Sequence, residues 1–421
     1  MPGVFLGIPL RALRLSFLSV LITLVVAPIL GLPYMNDDIV NRNAPLLSLG
    51  QTVDLALRLN NTWMTEQGRF FPGGMIYGFT MWHTMNSRPL YAMYLVLLNL
   101  CLVTLFAYTC WRMLKSAWFA AFGAITLAAC LQIQFGYFDG LSSFAGLVVY
   151  TLVLVFVTGF LAAHILRGGS RWFVIPLVIV WGLAITAYEV SLLMLPALLA
   201  VLWVTGPPLR ERARWLWAAG PIVLLGAAQF AMSLYLRSPD LPLAPAYQIN
   251  PGGPVGTTFA KQFTAAIPYM QQVFGDPAGY ARMWLLLSVV LAIPAFLVWR
   301  PWRAAAPVIR TRVAIVMMAV GAWAWVIPSI LAGVTRRQQD ELTWGHGYIY
   351  LPYEYIGVAL IVTGAACLIR QKVTAPWARW IFAGLFLVVL LVCAMTAGSN
   401  ILGVGAHVPG PAGPDWLPPA G

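Results

Sequence analysis

Long apolar runs, broken by short polar segments, fill almost the whole chain. About 20 consecutive apolar residues suffice for a helix to cross the hydrocarbon core of a bilayer. Eleven such spans are expected, at about 12–32, 90–111, 116–135, 142–166, 172–187, 190–205, 215–236, 283–299, 313–334, 351–369 and 378–400. The first follows Arg11 and Arg14 and ends in Pro33-Tyr34-Met35-Asn36 rather than a small-residue cleavage site, so it reads as a retained anchor. Segment 171–205 could be one overlong helix or two short ones. The loops on either side, 167–171 and 207–214, are both basic and belong on the same side of the membrane, which requires two crossings meeting at Tyr188-Glu189.

Composition agrees. Of the 421 residues 61% are hydrophobic and 9% charged, against roughly 25% charged in soluble domains. The expected fold class is an all-α polytopic membrane protein, one transmembrane domain over 1–400 with an irregular Gly/Pro-rich tail at 401–421. The five cysteines lie inside apolar runs without paired spacing, which argues against a disulfide framework or a zinc site.

The net charge of +12 would suggest nucleic acid in a soluble protein, but its distribution points elsewhere. Sixteen of the 25 basic residues cluster at one set of span ends, while twelve of the 13 acids fall on the other side, Glu211 excepted. By the positive-inside rule the arginine-rich ends are cytoplasmic and the acid-rich ends extracytoplasmic. The positive charge is then a topological signal and a contact for anionic membrane lipids, with no nucleic-acid partner. The long connections, 33–89, 237–282 and 335–350, all lie on the acid-rich side. Within the first, Val53, Ala56, Leu57, Asn60, Trp63 and Met64 would share one face of a helix lying along the membrane surface, although a strand-like alternation from Val53 to Leu59 competes.

Candidate chemistry gathers on the same side. Asn36-Asp37-Asp38 follows the first span directly, and adjacent carboxylates there need a compensating cation or substrate, unless they simply cap a helix. Asp139, in Tyr137-Phe138-Asp139-Gly140, sits in the short turn after the third span, and Glu189 at the apex of the 171–205 segment. Acids near membrane depth are costly and by default suggest function. Arg69, Arg88, Lys261, Arg336 and Arg337 could hold a phosphate, although each alone could be a snorkelling anchor. Trp344, His346 and Tyr348 add the aromatic and polar groups that bind a sugar.

A multispanning chain with Asp37-Asp38 just after span one, a long first outer loop and Asp139 after span three resembles the GT-C superfamily of glycosyltransferases, chiefly over its first 200 or so residues. The resemblance implies transfer of a sugar from a polyprenyl-phosphate donor to an extracytoplasmic glycan, lipid or protein, in a bacterial cytoplasmic membrane with the site facing outward. It implies Asp37, Asp38 and Asp139 as catalytic acids, beside which the residue pattern itself offers Arg69, Arg88, Glu189, Lys261, Arg336, Arg337, Trp344, His346 and Tyr348 as substrate-binding groups. It also admits a divalent cation, Mg²⁺ or Mn²⁺, on Asp38 and Asp139. Two other readings stay open: a polymerase or ligase acting on lipid-linked glycans, and a transporter or flippase.

Overall fold

The computed structural model describes residues 4–5, 8–32, 38, 47–85, 87–134, 139–237, 248–268, 311–372 and 376–406. Apart from a small hairpin pairing Val4–Phe5 with Ile8–Pro9, the described residues build an all-helical membrane protein. In chain order the helices are α1 Leu10–Val26 (continued by a 3₁₀ turn, Ala27–Gly31), α2 Leu49–Gln67, α3 Pro72–Thr84, α4 Arg88–Leu114, α5 Ala117–Cys130, α6 Ser143–Leu166, α7 Val174–Ala187 and α8 Leu195–Thr205. There follow α9 Arg212–Leu236, α10 Val255–Ala265, α11 Thr311–Val334, α12 Arg336–Glu341, α13 Leu351–Lys372 and α14 Pro376–Ala406.

Six of these, α4, α6, α9, α11, α13 and α14, are long and apolar enough to cross a membrane, and four shorter apolar helices coincide with the remaining described spans. The expected span 283–299 lies outside the described residues. The 171–205 segment is two helices, as the flanking charges require. They part at Tyr188, whose extended backbone (φ −154°, ψ 116°) ends α7 before a 3₁₀ turn, Glu189–Met194, leads into α8. Apolar residues carry α14 to Ala406, so 401–406 are helical, and the rest of the expected irregular tail lies outside the described residues.

Helix α2 settles the competition in the first long loop. Ser48 and Gln51 form a capping box at its start, which satisfies two otherwise orphaned backbone N–H groups. Its buried face is Thr52, Ala56 and Asn60, so the helix is rotated slightly from the expected face and leaves Leu57 47% exposed.

Close helix approach depends on small residues, as expected where lipid removes the hydrophobic drive between helices. Helices α11 and α13 cross at Gly321 and Gly357. A Cβ on either would lie 2.6 Å from the other's carbonyl oxygen.

Candidate functional site

Asp38 is fully buried and well supplied with donors. Trp82 Nε1 donates to Oδ1 at 2.8 Å and the Tyr91 hydroxyl to Oδ2 at 2.7 Å, while the Ala145 N–H reaches Oδ1 at 3.3 Å. Asp139 is buried too. It accepts from the Gln134 N–H at 3.0 Å and, over a short contact, from the Ser142 hydroxyl. The two acids thus grip opposite ends of one segment, 139–146.

That segment contains a costly turn. Phe144, Ala145 and Gly146 are all left-handed, with φ of 52°, 55° and 67°, at about 1–2 kcal/mol for each non-glycine residue. Surrounding side chains hold it. Besides Asp38 on the Ala145 N–H, the Tyr77 hydroxyl donates to the Ala145 carbonyl at 2.8 Å and Asn99 Nδ2 to the Leu141 carbonyl at 3.1 Å. The Phe144 ring packs edge-on to Trp82 and fills the space beside Gly78, where a Cβ would come within 2.8 Å of it.

Burial pushes the Asp139 carboxyl up from 3.8 to about 6, against the hydrogen bonds from Ser142, Gln134 and Leu141 that favour its ionised form. Between these two values the folded protein binds more protons than the unfolded chain. Asp139 therefore contributes stability at low pH that is lost as the pH rises from about 4 to about 6, by roughly 3 kcal/mol. Thermal midpoints measured across this range should fall in the wild type relative to Asp139→Asn, which lacks the titration. Parallel curves would show that folding does not raise the Asp139 pKa.

A second charged centre forms where the first outer loop meets the α7–α8 break. Gly68, left-handed at φ 62°, ends α2 and turns the chain so that Arg69 comes to the break. Arg69 Nε donates to Glu189 Oε1 at 2.5 Å, and both side chains are largely buried. The guanidinium lies 4.6 Å from the Phe71 ring centre and 5.3–5.4 Å from those of Trp63 and Tyr188, all within cation–π reach. Burial alone would lower the Arg69 pKa, but Glu189 and Tyr188 outweigh it and hold the pKa above the ordinary arginine value. The start of α3 rests directly on the break, where a Cβ on Gly74 would lie 2.1 Å from the Ala187 carbonyl oxygen.

Glu189 Oε2 and the Tyr188 hydroxyl are buried with no hydrogen-bond partner among the described residues. A buried acceptor and a buried donor left unsatisfied are each costly unless something else uses them. Around them stand Tyr350, 6.1 Å ring to ring from Tyr188, and Tyr348, 4.7 Å from Tyr350. The charge of Arg237, at the end of α9, also acts on Glu189 and Tyr350. The two centres meet through the 348–355 segment: a Cβ on Gly140, next to Asp139, would lie 2.6 Å from Pro352 and 2.9 Å from the Ile349 carbonyl. Tyr348 is fixed from behind, since its N–H donates to Gln262 Oε1 at 2.7 Å. Gln262 Nε2 in turn donates to Glu354, which also accepts from Ser329 at 2.8 Å.

The remaining sequence candidates are dispersed. Lys261 donates to the Leu342 carbonyl at 2.6 Å and ties down a loop. Arg337 pairs with Glu341 at 3.0 Å, and Arg336 is exposed. Arg88 donates to the Ile29 carbonyl at 3.3 Å. Trp344 is 43% exposed, while His346 is half-buried, with burial lowering its pKa and Nδ1 lacking a partner among the described residues. Asp37 lies outside the described residues. Sequence reading had no role for Tyr188, Arg237, Tyr350 or the buried Glu354. Only Tyr188 carried a signal, its place beside Glu189 at the span break.

Each oxygen of Asp38 and Asp139 accepts at least one N–H or O–H, and no group of three His, Cys, Asp or Glu that could hold a metal ion converges among the described residues.

No family model and no curated protein matches the chain. Among solved structures, the crystal structure of ArnT from Cupriavidus metallidurans bound to undecaprenyl phosphate aligns over 94% of this chain and 77% of that one, with a TM-score of 0.45 and 15% identity.

Proposed function

We propose that the protein is a GT-C type glycosyltransferase, moving a sugar from a polyprenyl-phosphate donor to an extracytoplasmic glycan, lipid or protein. The observation that carries the reading is Glu189 Oε2, beside Arg69 and without a hydrogen-bond partner among the described residues, with Tyr188, Tyr348 and Tyr350 around it. A sugar presents hydroxyls that need acceptors and an apolar face that stacks on aromatic rings. A phosphate leaving group needs a cation, which Arg69 supplies with Arg237 nearby.

In the proposed step an acceptor hydroxyl attacks the anomeric carbon, the bond to the donor phosphate breaks, and the phosphate leaves with the electron pair. Glu189 Oε2 takes the hydroxyl proton. Asp38 and Asp139, whose oxygens are already engaged, act as positioning residues that hold the 139–146 turn against the 348–355 segment. The active end faces outward if the arginine-rich ends are cytoplasmic. Labelling of cysteines placed at Ser170 and Thr65 should then report opposite sides, Ser170 inside.

Surface glycans of a deletion strain test the function. Loss of one sugar substituent with the backbone polymer intact supports a transferase. Shortened polymer would point to a polymerase or ligase, and loss of all surface glycan to a flippase.

A further inference from the structure

An apolar shaft with a cavity volume of about 120 Å³ opens between α4, α6, α8, α11 and α13. One end is lined by Leu152, Met194 and Ile356. Immediately beyond lies a buried cluster in which the Tyr353 hydroxyl bonds Thr151 at 2.9 Å and Ser191 at 2.7 Å. The other end is marked by Arg112 and Arg167. From Leu152 to Arg167 along α6 is fifteen residues, or about 22 Å at ~1.5 Å each. The shaft therefore occupies the arginine-rich part of the bundle, and the hydroxyl cluster separates it from the acid-rich end.

Further cations lie beside chain neighbours of the residues at its arginine end. Arg312 stacks on Trp203 with its guanidinium 3.8 Å from the ring centre. Arg214 reaches Gly168, where a Cβ would lie 3.4 Å from its guanidinium nitrogen, while pairing with Glu211 at 2.6 Å. Glu211 is the one carboxylate in these contacts.

We propose that this shaft binds a single anionic phospholipid, with one acyl chain between α6 and α8 and its phosphate on Arg112 and Arg167. The charge complementarity is direct: arginine forks suit a phosphodiester, and the lining beyond them is apolar except for Thr109 and Thr205 near the same end. Placing the lipid in the cytoplasmic leaflet rests on the orientation read from the charge pattern. The donor lipid is a poorer occupant. Its phosphate belongs at the opposite end of the bundle, and its tail would have to pass the Tyr353 cluster.

Native mass spectrometry of the full-length protein, given an equimolar mixture of phosphatidylglycerol and phosphatidylcholine, tests the proposal. The wild type should retain one phosphatidylglycerol with a preference of about 10-fold or more, and Arg112→Gln/Arg167→Gln should lose the preference. Ala163→Phe, which fills the shaft without altering the mouth, should lose the retained lipid while the Arg69 centre stays intact. Equal retention of both lipids, or an arginine double variant that still prefers phosphatidylglycerol, would mean annular lipid only and overturn the proposal. Parallel labelling at Ser170 separates the two failures: exposure of Ser170 outside would reverse the orientation, while retention in detergent would still decide whether the shaft holds a lipid.

Discussion

Arg69→Gln is expected to lower sugar transfer by 10²-fold or more and to destabilise the protein by about 3–5 kcal/mol. The second figure follows from burial: Arg69 and Glu189 are 10% and 15% exposed, and removing one partner strands the other's charge in a low-dielectric pocket. Replacing both, as Arg69→Gln/Glu189→Gln, removes both charges and should restore much of the stability. Transfer should not return, because the phosphate cation and the hydroxyl acceptor are both gone. Thermal unfolding in detergent alongside a transfer assay separates these effects. A double variant that recovered transfer together with stability would reduce the pair to a structural one.

Asp38→Ala should be among the most destabilising single changes, because it strands the Trp82 indole N–H, the Tyr91 hydroxyl and the Ala145 N–H in a buried site. At about 1–3 kcal/mol for each stranded group, the loss is several kcal/mol, and the left-handed turn at 144–146 should open with it. Asp38→Asn behaves differently. Its amide oxygen can still accept from Trp82 and Ala145, and the Tyr91 hydroxyl can rotate to accept from the new amide. A modest stability loss, below about 2 kcal/mol, is expected. Hydrogen exchange at the Ala145 amide checks the mechanism: protection should survive in Asp38→Asn and collapse in Asp38→Ala. Equal protection in the two would show that Asp38 does not hold the turn.

The spans were legible because bilayer thickness imposes a run length that few other structures need. Even the divided 171–205 segment could be resolved from the arginines on its two sides. The surface helix α2 was legible as a helix, whereas its rotation was not, because Leu57 and Thr52 trade places according to what packs above them. Nothing local announces the turn at Phe144-Ala145, since neither residue is glycine and two of the partners that hold Ala145, Tyr77 and Asp38, are 68 and 107 positions away in the chain.

The candidate site was legible as acids and cations on one side of the membrane, but their roles depend on partners that spacing conceals. Arg337 and Glu341 are four apart on a helix, so their pairing could be read from the chain. Arg69 and Glu189 are 120 positions apart, and only folding sets them together. Lys261 looks like a phosphate ligand until the Leu342 carbonyl occupies it. Glu354 went unnoticed because an isolated acid in an apolar run gives no hint of the glutamine and serine that satisfy it.

The central claim is that Glu189, rather than Asp38, is the carboxylate that meets the substrate hydroxyl. The most direct measurement compares Glu189→Gln and Asp38→Asn in one assay, with each protein reconstituted in vesicles with a polyprenyl-phosphate sugar donor and matched for folded protein. Glu189→Gln should lose transfer by about 10²-fold or more, and Asp38→Asn should stay within about 10-fold of wild type. Near-normal transfer by Glu189→Gln beside a collapse in Asp38→Asn would contradict the account.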